Sequence, residues 1–370
     1  MLENKKEFIQ KKIQEDISPA KNLKGFHLKI VGSLAILWSL FQLWYASPFP
    51  FMFDVGVIKG LPARALHLGF ALILAFLIFP FRKKGNISIS NIFIAILSFL
   101  CCLYILIFYD DLVLRAGILL EVDFVIAGKE FKIPIEMIIG IFGMLALLEA
   151  TRRVIGLPLV IVAVSFLIFS YFGRYFPDII SHAGLSLNRL VGYHWFDQEA
   201  IFGIPISVSV SFIFLFVLFG AILDTAGGGK YFLNLAFALV GKMRGGPAKA
   251  AILASGLTGL ISGSSVANTV TTGTFTIPIM KRTGLPAIKA GAVEVAASVN
   301  GQIMPPIMGA AAFVMAELLG ISYFTVITHA FLPAVISYIA LFYISHLEAL
   351  KLNLKGMNEE DVPNLKNTFL

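Results

Sequence analysis

The sequence predicts an all-α integral membrane protein. It would have about eight transmembrane helices, one re-entrant helical hairpin and one broken helix. Three observations predict this. The chain of 370 residues is 58% hydrophobic and only 14% charged, whereas a soluble domain carries roughly a quarter charged residues to clothe its surface. The apolar residues fall in runs long enough to cross a bilayer. Two stretches inside the apolar region are polar, glycine-rich or proline-rich, where a plain span would be uniform.

The runs that reach the roughly 20 residues needed to cross ~30 Å of hydrocarbon are 27–46, 61–80, 91–109, 133–150, 154–172 and 203–224. Segments 284–318 and 321–347 also qualify, the first with an interruption. Residues 1–26 carry six lysines and no apolar core of a signal peptide, and so read as a charged cytoplasmic tail. Arg82-Lys83-Lys84 follows the second run and Arg152-Arg153 the fourth. The intervening segments 109–132 and 173–202 are acidic or neutral. Basic loops stay inside, so the amino terminus is cytoplasmic. The same pattern explains the net charge of +7 without nucleic acid. Cys101 and Cys102 are adjacent within an apolar run and supply neither a disulfide framework nor metal-ligand spacing.

After the sixth run, Lys242, Arg244 and Lys249 precede a stretch, 250–280, free of Lys, Arg, Asp and Glu; Lys281-Arg282 follows it. A single crossing would put Lys281 and Arg282 outside. A segment that enters and turns back keeps both clusters inside. As helices, 250–262 and 270–280 reach only ~20 and ~16 Å at 1.5 Å per residue, too short to cross. The turn is expected over 262–269, from Ser262-Gly263-Ser264-Ser265 to Asn268-Thr269. Irregular backbone at membrane depth is tolerated only where it is buried in protein or lines a cavity, and its carbonyls and hydroxyls are hard oxygen donors. Close helix packing is the competing reading of such small residues.

The second feature is Ser298-Val299-Asn300-Gly301-Gln302-Ile303-Met304-Pro305-Pro306. Tandem prolines remove two donors and clash with the preceding turn. A helix starting near Gly284 is therefore expected to unwind around Asn300–Pro305 and resume to Glu317, exposing polar groups of Asn300, Gly301 and Gln302. A simple proline kink is the alternative. Glu294 lies well inside this span, and an intramembrane carboxylate is a functional candidate by default; pairing with Lys289 or another basic side chain is the competing role. Glu149 and Asp224 fall at span ends, where structural or solvated roles are expected. The six histidines, His27, His67, His182, His194, His329 and His346, are scattered. None is spaced as a metal pair, which argues against an intramembrane enzyme.

These residues resemble the tripartite ATP-independent periplasmic (TRAP) transporters, in particular fused permeases carrying small and large membrane subunits in one chain. The resemblance rests on Leu148-Glu149-Ala150-Thr151-Arg152-Arg153, Ile201-Phe202-Gly203-Ile204-Pro205, Gly245-Gly246-Pro247-Ala248-Lys249, the run Ser262 to Thr276, and Gly301-Gln302-Ile303-Met304-Pro305-Pro306. It implies a small-subunit-like four-helix domain over 27–150, the first repeat of a transport domain over 151–347, and a polar cytoplasmic segment over 348–370. It implies sodium-coupled, elevator-type uptake of organic acids (dicarboxylates, keto acids or glutamate-like compounds) at the cell inner membrane. The substrate would be delivered by an extracytoplasmic binding protein of the TAXI class, and no cofactor is implied beyond sodium as coupling ion. Mapped onto this chain, the sodium and substrate site comprises Ser264, Ser265, Asn268 and Thr269 with Ser298, Asn300 and Gly301. Gln302 and Pro305 are further candidate binding residues, and Gly263 forms the tip. The family's second hairpin and second broken helix have no counterpart here, so the chain reads as half of an inverted-repeat transporter. A non-transporting scaffold, a channel-like protein and an inactive permease fragment are the alternatives.

Overall fold

A computed structural model describes residues 25–58, 60–81, 88–115, 118–126 and 129–369. The tail assigned to 1–26 and the cluster Arg82-Lys83-Lys84 lie almost wholly outside the described residues. The chain forms two compact units, Met1–Val210 and Ser211–Leu370.

The first unit contains α1 (Phe26–Ala46), α2 (Leu61–Ile78), α3 (Ile89–Ile107), α4 (Ile135–Val154), α5 (Leu157–Phe172) and α6 (Leu187–Trp195). Helix α2 sits at its centre: 61% of its span is buried, against 11% for α1 and 6% for the α5 span. The core joins Leu72 and Phe76 of α2 to Ile105 of α3, and to Trp195 and Phe202. The outer helices present Ile36, Leu40, Ile161 and Phe166 outward, a face that hydrocarbon solvates and water does not.

Several buried polar groups inside this unit are paired, although Gln42 Oε1, Arg115 Nη1 and Trp195 Nε1 are buried without a partner. The His67 imidazole accepts at Nδ1 from Gln42 Nε2 (2.7 Å) and Trp38 Nε1 (3.2 Å), so its Nε2 carries the proton and donates to Ser209 Oγ (3.0 Å). Glu136, in the first turn of α4, is fully buried. It accepts from Tyr104 Oη (2.8 Å), Arg115 Nη2 (2.6 Å) and the Leu120 amide (2.6 Å). Its carboxylate holds the Arg115 guanidinium above its ordinary pKa. Glu149 has the structural role expected of it, gripping Arg152 and Arg153 at 2.7 Å each within α4.

One element departs from the expected loop over 109–132. Strands β1 (Val122–Ile126) and β2 (Lys129–Ile133) form an antiparallel pair, with Val122 opposite Ile133 and Ile126 opposite Lys129. The class remains all-α, with this hairpin added between α3 and α4.

A helical run, α7 (Ile204–Thr225), contains a π turn at Ser209–Ile213 and leads into the second unit. There follow α8 (Gly228–Val240), α9 (Gly246–Gly259), α10 (Ser265–Arg282), α11 (Ala287–Asn300), a 3-10 turn Gly301–Ile303, α12 (Ala310–Leu319) and α13 (Tyr323–Lys351). Helix α9 is the hub and packs against α8, α10, α11 and α13. Of the 14 residues of its sequence, GPAKAAILASGLTG, nine are Gly, Ala, Ser or Thr, small enough for backbones to approach. Beyond α13 the chain folds back on the α8–α9 loop, through Lys242–Glu359 (2.7 Å) and a Met357 amide bond to the Gly241 carbonyl (3.0 Å).

Among the described residues, six helices are long and apolar enough to cross a membrane: α1, α2, α3, the α5 span, α7 and α13. Of the eight segments expected, 133–150 is the helix α4, whose Glu136, Glu149, Arg152 and Arg153 make it less uniformly apolar. The segment 284–318 is divided into α11 and α12.

Candidate functional site

The site forms where the α9–α10 turn meets the break between α11 and α12. The turn is shorter than the sequence suggests: only residues 260–264 are non-helical, and Ser265 to Thr269 already belong to α10. The cause is a cap. Ser264 has extended backbone and its Oγ accepts from the Ala267 amide (3.2 Å), satisfying a first-turn donor. The break is where it was expected. Helix α11 ends at Asn300, one 3-10 turn follows, and 304–309 is irregular until α12 begins.

The turn and the break touch backbone to backbone. A Cβ on Gly263 would stand 1.7 Å from the Met308 carbonyl oxygen, and one on Gly259 would stand 2.8 Å from Gly301 Cα. Gln302 Nε2 donates to Ser265 Oγ (2.7 Å), and the Gly309 amide donates to the Gln302 carbonyl (2.6 Å).

Asn268 lies at the centre, 1% exposed. Its Nδ2 donates to the Ser255 carbonyl in α9 (2.9 Å), which fixes the amide orientation, since an oxygen in that place would face another acceptor. Its Oδ1 is then buried without a partner. Thr258 Oγ1, also buried, has none either. Both residues line a cavity of about 540 Å³, bounded further by Ser262, Ser264, Met308 and Phe313. Buried polar atoms are nearly always bonded, so two orphan oxygens beside one cavity suit a hard cation. The carboxyl ends of α9 and α11 converge at the Gly259–Gly301 contact, adding the partial negative charge of two helix termini.

Of the residues singled out in the sequence, the structure brings Gly263, Ser264, Ser265, Asn268, Gly301 and Gln302 to this junction. Pro305 is buried within the break and Asn300 is half-buried at the end of α11. Thr269 turns back on its own helix, its Oγ1 donating to the Ser265 carbonyl (2.8 Å). Ser298 is buried one turn after Glu294, near the end of α11, and its Oγ is another buried oxygen without a partner. Lys289 pairs with Glu348 of α13, not with Glu294. Glu294 instead faces hydroxyls: Thr272, Thr276 (2.5 Å) and Ser255 (3.3 Å).

Thr258, Ser255, Thr272 and Thr276 were not singled out in the sequence. One signal was available: Asn268, Thr272 and Thr276 recur every four residues and so form one face of α10. Among the described residues, no group of three His, Cys, Asp or Glu side chains could hold a metal ion.

Residues 142–370 match the family described as the tripartite ATP-independent periplasmic transporter, DctM component. Similar proteins include YgiK, an uncharacterized protein of Salmonella typhimurium, 30% identical over 212 residues, which are 57% of this chain and 45% of that protein. A putative TRAP transporter large permease protein of Haemophilus influenzae is 32% identical over 163 residues, 44% of this chain and 38% of its own. The C4-dicarboxylate TRAP transporter large permease protein DctM of Pseudomonas aeruginosa is 37% identical over 91 residues, 25% of this chain and 21% of its own. The chain thus spans less than half the length of each of these relatives. The family is a transporter component, not an enzyme, and the matched region takes in the hairpin, the broken helix and the cavity between them: this chain belongs to the DctM component family of TRAP transporters.

Proposed function

We propose that the chain is the membrane permease component of a sodium-coupled secondary transporter for small organic acids in the cell inner membrane, with a cytoplasmic amino terminus. An extracytoplasmic binding protein of the TAXI class hands substrate to it. The α9–α10 hairpin is re-entrant, and sodium binds at Asn268 Oδ1 and Thr258 Oγ1 with carbonyls freed at the break near Gly301. The supporting observation is the pair of partnerless buried oxygens on one cavity, where two interrupted helical elements meet. An organic-acid substrate fits the names of similar proteins, one a C4-dicarboxylate permease and one, YiaN of Escherichia coli, a 2,3-diketo-L-gulonate permease. A second repeat, within a longer chain or on a separate polypeptide, completes the substrate site and the elevator movement, while the sodium ligands named here all lie on this chain.

The test is radioactive sodium binding to the purified chain in lipid nanodiscs. Asn268→Ala should weaken saturable sodium binding by about tenfold or more, as loss of a buried bond to a charged partner implies. Sodium binding that Asn268→Ala leaves intact would remove the ion site. In proteoliposomes holding the complete permease and its binding protein, uptake should collapse without a sodium gradient.

A further inference from the structure

We propose that Glu294 is the counter-charge of the cation site: an ionised carboxylate held one helical turn behind Asn268 that makes the site electrically neutral when a monovalent cation occupies it. The inference rests on the sodium site placed at Asn268 and assigns a role to a residue outside its ligands.

Glu294 is fully buried in α11. Its side chain lies flat against α10, where a Cβ on Gly273 would come within 3.0 Å of Glu294 Cγ. Both carboxylate oxygens receive hydroxyl groups from two neighbouring helices: Oε1 from Thr272 of α10 and Ser255 of α9, Oε2 from Thr276 of α10. A carboxylate accepts several such bonds at once, and hydroxyls are its donors here. Among the described residues, no basic side chain shares them. Lys289, on the same helix, pairs with Glu348. Lys249, on α9, turns to His346 Nδ1 (3.0 Å) and to the face of Phe342.

A buried carboxylate with hydroxyl partners alone is an uncompensated charge, and such charges are costly until a counter-charge arrives. The Asn268 site has the opposite problem. Its side-chain oxygens, Oδ1 of Asn268 and Oγ1 of Thr258, are neutral, and the acid on the cavity lining, Asp224, is exposed, so a cation there brings one positive charge into the same low-dielectric interior. The two are wired together. Ser255 donates through Oγ to Glu294 and accepts through its carbonyl from Asn268 Nδ2. Thr272 Oγ1 lies within reach of both Glu294 and the Asn268 carbonyl (2.8 Å). Asn268 and Thr272 are four residues apart, about 6 Å along the helix. At such a separation a unit charge in a medium of effective dielectric about 20 alters cation affinity by roughly ten- to a hundredfold. Glu294 is thus a positioning residue that acts through Ser255 and Thr272.

The experiment compares wild type, Asn268→Ala, Glu294→Gln and Glu294→Asp as purified chains in nanodiscs. Radioactive sodium binding is read beside thermal unfolding in sodium and in choline. Glu294→Gln should weaken sodium binding by roughly ten- to a hundredfold, raise the unfolding temperature in choline, and shrink the further rise that sodium gives. A packing role would lower the choline value instead. Glu294→Asp, which keeps the charge, should hold sodium affinity to within about threefold, a far smaller change than removal of the charge. If Glu294→Gln binds sodium like wild type while Asn268→Ala does not, the counter-charge is refuted and the ion site stands. If Asn268→Ala also binds like wild type, the ion site falls and the counter-charge with it. Should Glu294→Gln not be recovered folded, Glu294→Asp decides alone: retained affinity supports the proposal, and a tenfold loss, set against that scale, overturns it.

Discussion

Gly263 and Thr258 occupy the same junction, yet the same physics assigns them opposite responses to substitution. A methyl group on Gly263 would meet the Met308 carbonyl at 1.7 Å, and that oxygen is backbone, so the tip and the break must separate. Gly263→Ala should destabilise the second unit by about 1–3 kcal/mol and abolish sodium binding. Gly291→Ala, inside α11 where a new Cβ has nothing within 4 Å, should leave sodium binding intact and raise stability by up to about 1 kcal/mol in the same assays. Thr258→Val removes a hydroxyl that is buried without a partner. It should stabilise the sodium-free protein by about 1 kcal/mol while weakening sodium binding, a sign reversal visible in melts with sodium and choline. The sequence marks Gly263, Ser264, Asn268, Gly301 and Gln302 because polar or glycine residues interrupt apolar runs there. Thr258, Ser255, Thr272 and Thr276 carry no such mark. They lie inside regular arms, where a hydroxyl in lipid usually bonds back to its own helix, and only the fold shows that Ser255, Thr272 and Thr276 face Glu294 while Thr258 lines the cavity without a partner.

At the scale of elements, runs of hydrophobicity predict existence and type, while local hydrogen bonding sets the ends. The hairpin and the broken helix are both legible, because a charge-free stretch between two basic clusters and a tandem proline admit few structures. Residues 262–269, small or polar apart from Val266, predict a longer turn; the Ser264 cap draws Ser265 to Thr269 into α10 instead. The strands β1 and β2 fall in a charged loop where alternation over five residues is too brief to separate from chance. Glu136 is equally silent in sequence, as an acidic residue at a helix start ordinarily favours the helix dipole and faces water. In the fold it ties α4 to Tyr104 of α3 and to the following loop through Arg115 and Leu120. Glu136→Gln leaves the Arg115 guanidinium short of its counter-ion and should cost the first unit about 2 kcal/mol. A lowered unfolding temperature and faster tryptic cleavage at Arg115 would register it; an unchanged melt would mean the guanidinium finds water instead.

For the whole molecule, the direction in which each segment faces follows from charge, and the hairpin turns that direction into a test. Helix α9 has 14 residues, about 21 Å at 1.5 Å per residue and short of the ~30 Å hydrocarbon core; α10 has 18, longer than the arm the sequence suggests and as many as the spanning helix α2, from which its threonines rather than its length set it apart. Neither is among the six helices able to span by length and composition. If both dip in and return, Lys242 before α9 and Lys281 at the end of α10 share the cytoplasmic side, as the retention of basic residues requires. The native thiols leave the readout clean, since Cys101 and Cys102 are buried in α3 and should resist a membrane-impermeant maleimide. Lys281→Cys should then be labelled in inverted vesicles and not in intact cells, and Asp178→Cys, between α5 and α6, should show the reverse. Labelling of Lys281→Cys from outside would make α10 a crossing helix. Lys242 and Lys281 would then lie on opposite sides of the bilayer, and the turn that brings Gly263 to Met308 would no longer be the tip of a re-entrant hairpin.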